Sequence, residues 1–186
     1  PVPPLRAIGF DPVLPPVLAR ATKVLASMMI TKIMLEADSE FWKEDGMDPA
    51  MWTDTALGEV RALRQSADSN QITGLVARAR GFTAQRLDML GERAARALVV
   101  REYESLRPAA RGKIKAVGYK SWTMDPYAGG SWTEWRAGEL HDHLPAFSEP
   151  FGRMNFCGEH TAVSNRGMEA AMESAERAAV DALLEL

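Results

Sequence analysis

The residues best suited to chemistry gather near the C-terminus. Gly158-Glu159-His160-Thr161-Ala162 precedes a helix-forming stretch that opens at Gly167-Met168. Met168, Ala171, Met172, Ala175, Ala179, Ala182 and Leu183 recur there at spacings of three and four, which predicts a helix over 167–186 with an inner face of mostly small side chains. The first turn of such a helix leaves backbone N–H groups unpaired and carries the positive end of its dipole. A ligand with partial negative charge is stabilised at that end. A second cluster sets Trp122, Tyr127, Trp132 and Trp135 among Pro126, Gly129, Gly130 and Gly138. Rings interleaved with glycines predict either a backbone that passes close to something flat or a tightly packed loop. By periodicity alone, a terminal helix packed on a sheet is the plainer account of the first cluster.

Other reactive side chains carry less. His141 and His143 flank Asp142, but no second carboxylate or Cys cluster completes a metal set, so a surface loop is expected and no metal. Cys157 is the sole cysteine. It has no neighbouring base, fits a small core position after the last strand, and favours a reducing, cytoplasmic setting over a disulfide framework. A net charge of −3 gives no reason to expect nucleic acid or an anionic membrane as partner. No apolar run nears the roughly 20 residues that cross a bilayer. The start, Pro1-Val2-Pro3-Pro4, has neither an initiator Met nor a signal segment; a processed product, a subunit or a piece of a longer chain is expected.

Stepping along the chain, the prolines up to Pro16 predict an extended opening, and 19–28 a short helix. Residues 31–37 and 72–77 read as strands, with Phe41-Trp42 as an aromatic anchor and 43–70 as a loop. Residues 83–106 read as one helix capped by Thr83, with Leu87, Leu90, Ala94, Ala97, Leu98 and Arg101 at helical spacing, ended by Pro108. A strand over 114–121, a short strand over 153–156 and a turn-rich crossover over 158–166 complete the pattern.

Three motifs, in order along the chain, resemble the flavin-containing amine oxidase family, which includes monoamine, L-amino acid and polyamine oxidases. The first fifteen residues with Lys32-Ile33-Met34-Leu35 and Phe41-Trp42 resemble its substrate-domain crossover and strand. The segment from Trp122 to Trp132 resembles its Trp-x-x-x-x-Tyr-x-x-Gly-[Ser/Cys]-[Tyr/Trp] motif. Phe156 to Ala162 with Gly167 to Ala179 resembles its terminal FAD segment.

The resemblance implies an α+β fold. Residues 1–120 would be part of a mixed-sheet and helix substrate domain, and 121–186 the C-terminal strand-loop-helix of a Rossmann-like FAD-binding domain. It implies an enzyme that oxidises an amine or amino acid to an imine by hydride transfer to flavin N5, with dioxygen giving hydrogen peroxide. Trp122, Tyr127, Gly130, Ser131, Gly158, Glu159, Gly167, Met168 and Ala171 would meet FAD. Glu159 would approach the ribityl–phosphate part, Gly158 would leave room for the cofactor, and the Met168 N–H would face the flavin pyrimidine edge. Trp132 would pack on the substrate opposite Gly167, where many members carry a second ring. Arg6 aligns with a lysine that holds a water at N5. Ser131 stands where some members carry a flavin-linked cysteine, and a serine cannot form that thioether, so FAD is expected to be held noncovalently. No Gly-x-Gly-x-x-Gly follows a strand in these residues. An N-terminal FAD-binding chain or fragment is therefore expected as partner, in a hetero-oligomer or cleaved enzyme. A noncatalytic remnant of the same fold is the alternative.

Overall fold

The computed structural model describes every residue except Ala67, Asn70, Val163, Asn165, Arg166, Glu185 and Leu186. The chain packs as two compact units, Pro1–Met28 with Asp125–Leu186, and Met29–Met124. The opening 28 residues thus group with the C-terminal segment, where the expected division at 120 would place them with the sheet.

In the first unit, α1 (Val2–Leu5) and α2 (Pro16–Val24) interrupt the opening that the prolines led us to expect as extended. Both helices carry proline in their first turn, where the missing N–H is no loss and the fixed φ suits a helix. Leu18, Ala21 and Leu25 bury against Val2 and Phe147. Strand β1 (Ala26–Ser27) pairs antiparallel with β7 (Thr133–Glu134). Two short helical turns, α6 (Glu139–His143) and a 3-10 turn over Leu144–Phe147, lead to the last helix, α7 (Gly167–Leu184). The strand expected over 153–156 is reduced to a single bridge, Phe151 to Met154. A strand is held by a neighbour's ladder, and among the described residues no strand lies alongside it.

The second unit is a five-stranded sheet in the order β3-β4-β5-β2-β6. Its strands are β2 (Ile30–Ala37), β3 (Met51–Trp52), β4 (Glu59–Arg64), β5 (Ile72–Arg80) and β6 (Ile114–Ser121). All four ladders are antiparallel, and they form the part of the expected substrate-domain sheet that this chain carries. β5 and β6 do run parallel to each other, joined by two helices, but β2 inserts between them. Strand β4 falls inside the expected loop, since its charged residues Glu59, Arg61 and Arg64 mask the alternation.

The expected single helix is two, α4 (Gly81–Leu90) and α5 (Glu92–Leu106), broken at Gly91 with φ +76°. The break resets the helical phase. Ala84 and Leu87 face the core from α4, then Ala95, Val99 and Tyr103 from α5, in place of Leu90, Ala94, Ala97 and Arg101. The odd-numbered residues of β2 and β5, including Ile33, Leu35, Leu75, Ala77 and Ala79, complete this core. A short helix, α3 (Trp42–Asp45), flanks it through the T-shaped Phe41–Trp42 and Phe41–Tyr103 contacts.

Asp88 of α4 ties the helix to two strands, accepting hydrogen bonds from Thr31 Oγ1 at 2.5 Å, Tyr119 Oη at 2.7 Å and Ser121 Oγ at 2.8 Å. Replacing Asp88 with alanine leaves three donors unmatched and is expected to cost about 2 kcal/mol or more. Urea unfolding of the variant checks this, and an unchanged midpoint would remove Asp88 from the account.

Candidate functional site

Helix α7 buries the stripe Ala170, Ser174 and Ala178. The face expected to point inward is open: Met168 is 83% exposed, Met172 66% and Leu183 69%. Polar anchoring sets this phase. Ser174 Oγ accepts the Gly158 N–H at 2.9 Å and lies 3.0 Å from the Ala171 carbonyl. Arg177 donates to the carbonyls of Ser148 at 3.1 Å and Phe156 at 3.0 Å. A more apolar stripe is therefore left uncovered beside a buried polar one.

Glu159 is turned to the chain, its Oε1 accepting the Thr133 N–H at 2.5 Å. That bond joins the 158–161 segment to the β1–β7 ribbon, where the Met28 N–H meets the Trp132 carbonyl at 2.8 Å and the Ser131 N–H meets the Met28 carbonyl at 2.9 Å. Ser131, Trp132, Gly158, Glu159, Ala171 and the body of α7 are thus linked by hydrogen bonds within one unit. Ser131 is exposed and Trp132 half-buried. Tyr127 is 83% exposed, in a turn where Asp125 Oδ1 accepts its N–H. Trp122 belongs to the sheet unit, with Lys32 and Lys120 nitrogens 6.0 and 4.9 Å from its ring centroid.

Several glycines serve the chain itself. A Cβ at Gly130 would stand 2.5 Å from Ser27 Cβ and 3.2 Å from the Met28 carbonyl, and one at Gly129 would stand 2.5 Å from Pro3. Of the two accounts offered for the glycine-aromatic segment, the tightly packed loop fits these contacts. The room left at Gly158 is taken by the His160 imidazole, whose Cε1 would meet a Cβ at 2.7 Å. Gly167 differs: its φ is +71° and, among the described residues, nothing lies within 4 Å of a Cβ there. The turn-rich crossover expected just before it includes Val163, Asn165 and Arg166, which lie outside the described residues.

Arg6 donates from Nε to the Thr22 carbonyl at 2.7 Å and from Nη2 to the Leu25 carbonyl at 2.6 Å. It closes the C-terminal end of α2, where a cation is favoured by the dipole. His141 is exposed, as a surface loop requires, whereas its neighbour two residues on is not. His143 is buried and stacks on Trp135 at 6.4 Å, where a surface loop was expected. His160 is also buried, edge-on to Phe147 at 5.2 Å, and burial pushes its imidazole down to about 4. Cys157 is exposed and so is not the core residue expected. No group of three or more His, Cys, Asp or Glu gathers among the described residues, and no described helix is long and apolar enough to cross a membrane.

One charged centre went unread in the sequence. Glu59, 4% exposed, accepts bonds from Arg61 Nε, from Arg78 at 3.0 Å and from Arg80 at 2.6 Å. The alternation Ala77-Arg78-Ala79-Arg80 was its available signal, a period of two that carries strand β5 three residues past the expected end at 77.

Comparison with known proteins then places the chain. The family model for flavin containing amine oxidoreductase matches residues 1–183. The L-amino-acid oxidase of Bungarus fasciatus is 24% identical over 179 residues, which are 94% of this chain and 35% of the relative. That of Notechis scutatus scutatus is 26% identical over 180 residues, 95% of this chain and 35% of the relative. The chain thus spans about a third of the length of these curated relatives. Among solved structures, a putrescine oxidase variant superposes with a TM-score of 0.80 at 21% identity, covering 99% of this chain and 41% of that one. Cyclohexylamine oxidase from Brevibacterium oxydans IH-35A gives 0.73 at 21% identity, covering 98% and 40%. At these identities the structural likeness is one of fold. The match over 1–183 settles the family: this chain belongs to the flavin-containing amine oxidoreductases.

Proposed function

We propose that these residues form the closing part of an FAD-dependent amine oxidase that acts only together with an N-terminal FAD-binding portion, carried on the same or a second polypeptide. The observation that carries this reading is the state of α7. Among the described residues nothing packs against a Cβ at Gly167, and the Met168, Met172 and Leu183 stripe of the helix is exposed. An apolar stripe of this kind fits burial against a further layer, and the curated relatives are nearly three times as long as the matched segment.

The residues present fit a flavin in part. Helix α7 would offer its first-turn amides, among them that of Met168, to the electron-rich pyrimidine edge, where a helix N-terminus stabilises negative charge. Ser131 is exposed and has no sulfur to link, which favours noncovalent FAD. Glu159 fits less directly, because one carboxylate oxygen holds the Thr133 amide; it positions the β7 turn, leaving Oε2 for any cofactor contact. A bound FAD would supply the two-electron redox chemistry by which an amine is oxidised to an imine, with dioxygen as the final acceptor and hydrogen peroxide as its product. The chain would contribute orientation and exclusion of water, with Trp132 against the substrate and Gly167 leaving room for a branch at the reacting carbon. A dry pocket favours the uncharged amine.

Titration with FAD tests the two-part assembly. This polypeptide alone is expected to bind FAD weakly, and adding the N-terminal portion is expected to give a yellow complex that an amine bleaches without air. Stoichiometric tight binding by the 186 residues alone would defeat the requirement for a partner. A yellow complex that no amine bleaches would favour the noncatalytic alternative. Denaturation should release the flavin, as noncovalent attachment requires.

A further inference from the structure

Within the sheet unit, a cavity of about 180 Å³ opens where the β3–β4 turn meets the end of β5 and the start of α4. Glu59, Arg78 and Arg80 line it, with the exposed Trp52 and Asp54 beside them. Arg80 donates to Glu59 at 2.6 Å, and its guanidinium carbon lies 5.2 Å from the Trp52 ring centroid. The charge around this cavity is lopsided. Arg61, Arg78 and Arg80 converge on Glu59, and the register sets Lys32 directly across from Arg78. Four cations thus stand against Glu59 and Asp54, in a chain whose net charge is −3. Like charges this close repel one another, and an anion among them relieves it.

The cavity also holds hydroxyl donors. Thr53 Oγ1 and Thr55 Oγ1 lie 2.7 Å apart, so one hydrogen serves that contact. Thr53 Oγ1 further accepts the Thr55 N–H at 2.8 Å, and Thr55 Oγ1 accepts the Leu57 N–H at 3.3 Å. The second hydroxyl hydrogen of the pair finds no acceptor among the described residues of the turn. Thr83, half-buried in α4, lines the same cavity.

We propose that this cavity binds inorganic phosphate, in a form that keeps at least one proton. A guanidinium matches phosphate oxygens through its paired N–H groups. Arg80, 32% exposed, is placed to share itself between Glu59 and such an ion. The threonine hydroxyls add donors from the turn and from α4, as a tetrahedral ion needs. Asp54 sets the selection. A carboxylate accepts hydrogen bonds and donates none, so it repels a bare oxyanion and bonds to one that carries a hydrogen. Sulfate carries none near neutral pH, and the repulsion is a penalty aimed at the wrong ion. The site uses none of the residues assigned above to flavin or amine, and its test is independent of that function.

Titrating the full chain at fixed ionic strength and about pH 8 tests the site, with the Trp52 indole N–H followed in 15N-labelled protein and assigned with Trp52→Phe. At that pH inorganic phosphate retains a proton, whereas methyl phosphate, with a second pKa near about 6, has lost its last. Phosphate is expected to give a saturable shift, and sulfate and methyl phosphate to bind at least about tenfold more weakly. Asp54→Asn replaces an exposed side chain and should raise sulfate to the affinity of phosphate. Thr83→Val should weaken phosphate about fivefold, the loss of one hydrogen bond, with the resonances of β2 and β6 in place. No saturable shift with phosphate overturns the site, and unchanged affinity in Thr83→Val overturns its placement in this cavity. Equal affinity for phosphate and sulfate in the unaltered chain, or sulfate still rejected by Asp54→Asn, overturns the role of Asp54 and the assignment to phosphate with it.

Discussion

Gly58→Ala is expected to destabilise the sheet unit by about 3 kcal/mol or more, the larger part of it from contact and the smaller from conformation. Gly58 has φ +63°, in the left-handed region that costs an L-residue roughly 1–2 kcal/mol. A Cβ there would also lie 2.6 Å from the Arg78 carbonyl oxygen and 3.3 Å from Ala79 Cα. Both are backbone atoms of β5 and cannot swing aside as a side-chain tip could. Relief requires β4 and β5 to part where Glu59 pairs with Arg78, so the buried ion cluster loosens as well. Gly46 supplies the control: its φ is +68° and nothing lies within 4 Å of a Cβ. Denaturant unfolding of Gly46→Ala should show the dihedral cost alone. If the two alanine variants lose equal stability, steric contact at Gly58 contributes nothing and the argument fails.

What the sequence revealed and what it hid divide along physical lines. Strands β2 and β6 were legible because turn residues bound them and polar and apolar residues largely alternate along them, even though their shared register shifts between Met34 and Leu35; β6 was anticipated at 114–121, the bounds it has. Strand β4 was hidden because its outward residues are charges that look like loop chemistry until Arg78 and Arg80 are seen converging on Glu59. The helix break at Gly91 was hidden because helical spacing on either side of a glycine looks continuous on paper, although a φ of +76° restarts the phase. For α7 the existence and start of the helix were legible and its facing was not. Apolarity alone favoured Met168, Met172 and Leu183 as the inner side, whereas the Gly158 N–H donating to Ser174 and Arg177 donating to the Phe156 carbonyl turn the other stripe inward. The candidate site shows the same division. Family motifs name its segments as an expectation, whereas the partners that Arg6, Glu159 and Gly158 have in the fold are tertiary and follow from no local pattern.

His160 yields the second large effect, through pH. Its ring is 8% exposed, packed edge-on to Phe147 and filling the space beside Gly158. Burial is the main cause that lowers its imidazole from 6.5 to about 4. The folded state therefore binds fewer protons than the unfolded chain between those two values, so stability is whole above pH 6.5 and drains away as the pH falls toward 4. At 1.36 kcal/mol per unit the loss is on the order of 3 kcal/mol, a large share of a marginal total. Other ionisable groups also respond to acid, so the raw acid profile mixes sources. Subtracting the profile of His160→Phe removes them, since phenylalanine keeps the contact with Phe147 and takes no proton. The difference should rise from near zero at pH 7 and level off near pH 4. A flat difference would mean that the imidazole is protonated in place. The segment Gly158 to Thr161, which supports both Glu159 and the inward stripe of α7, would then rest on something other than a neutral buried ring.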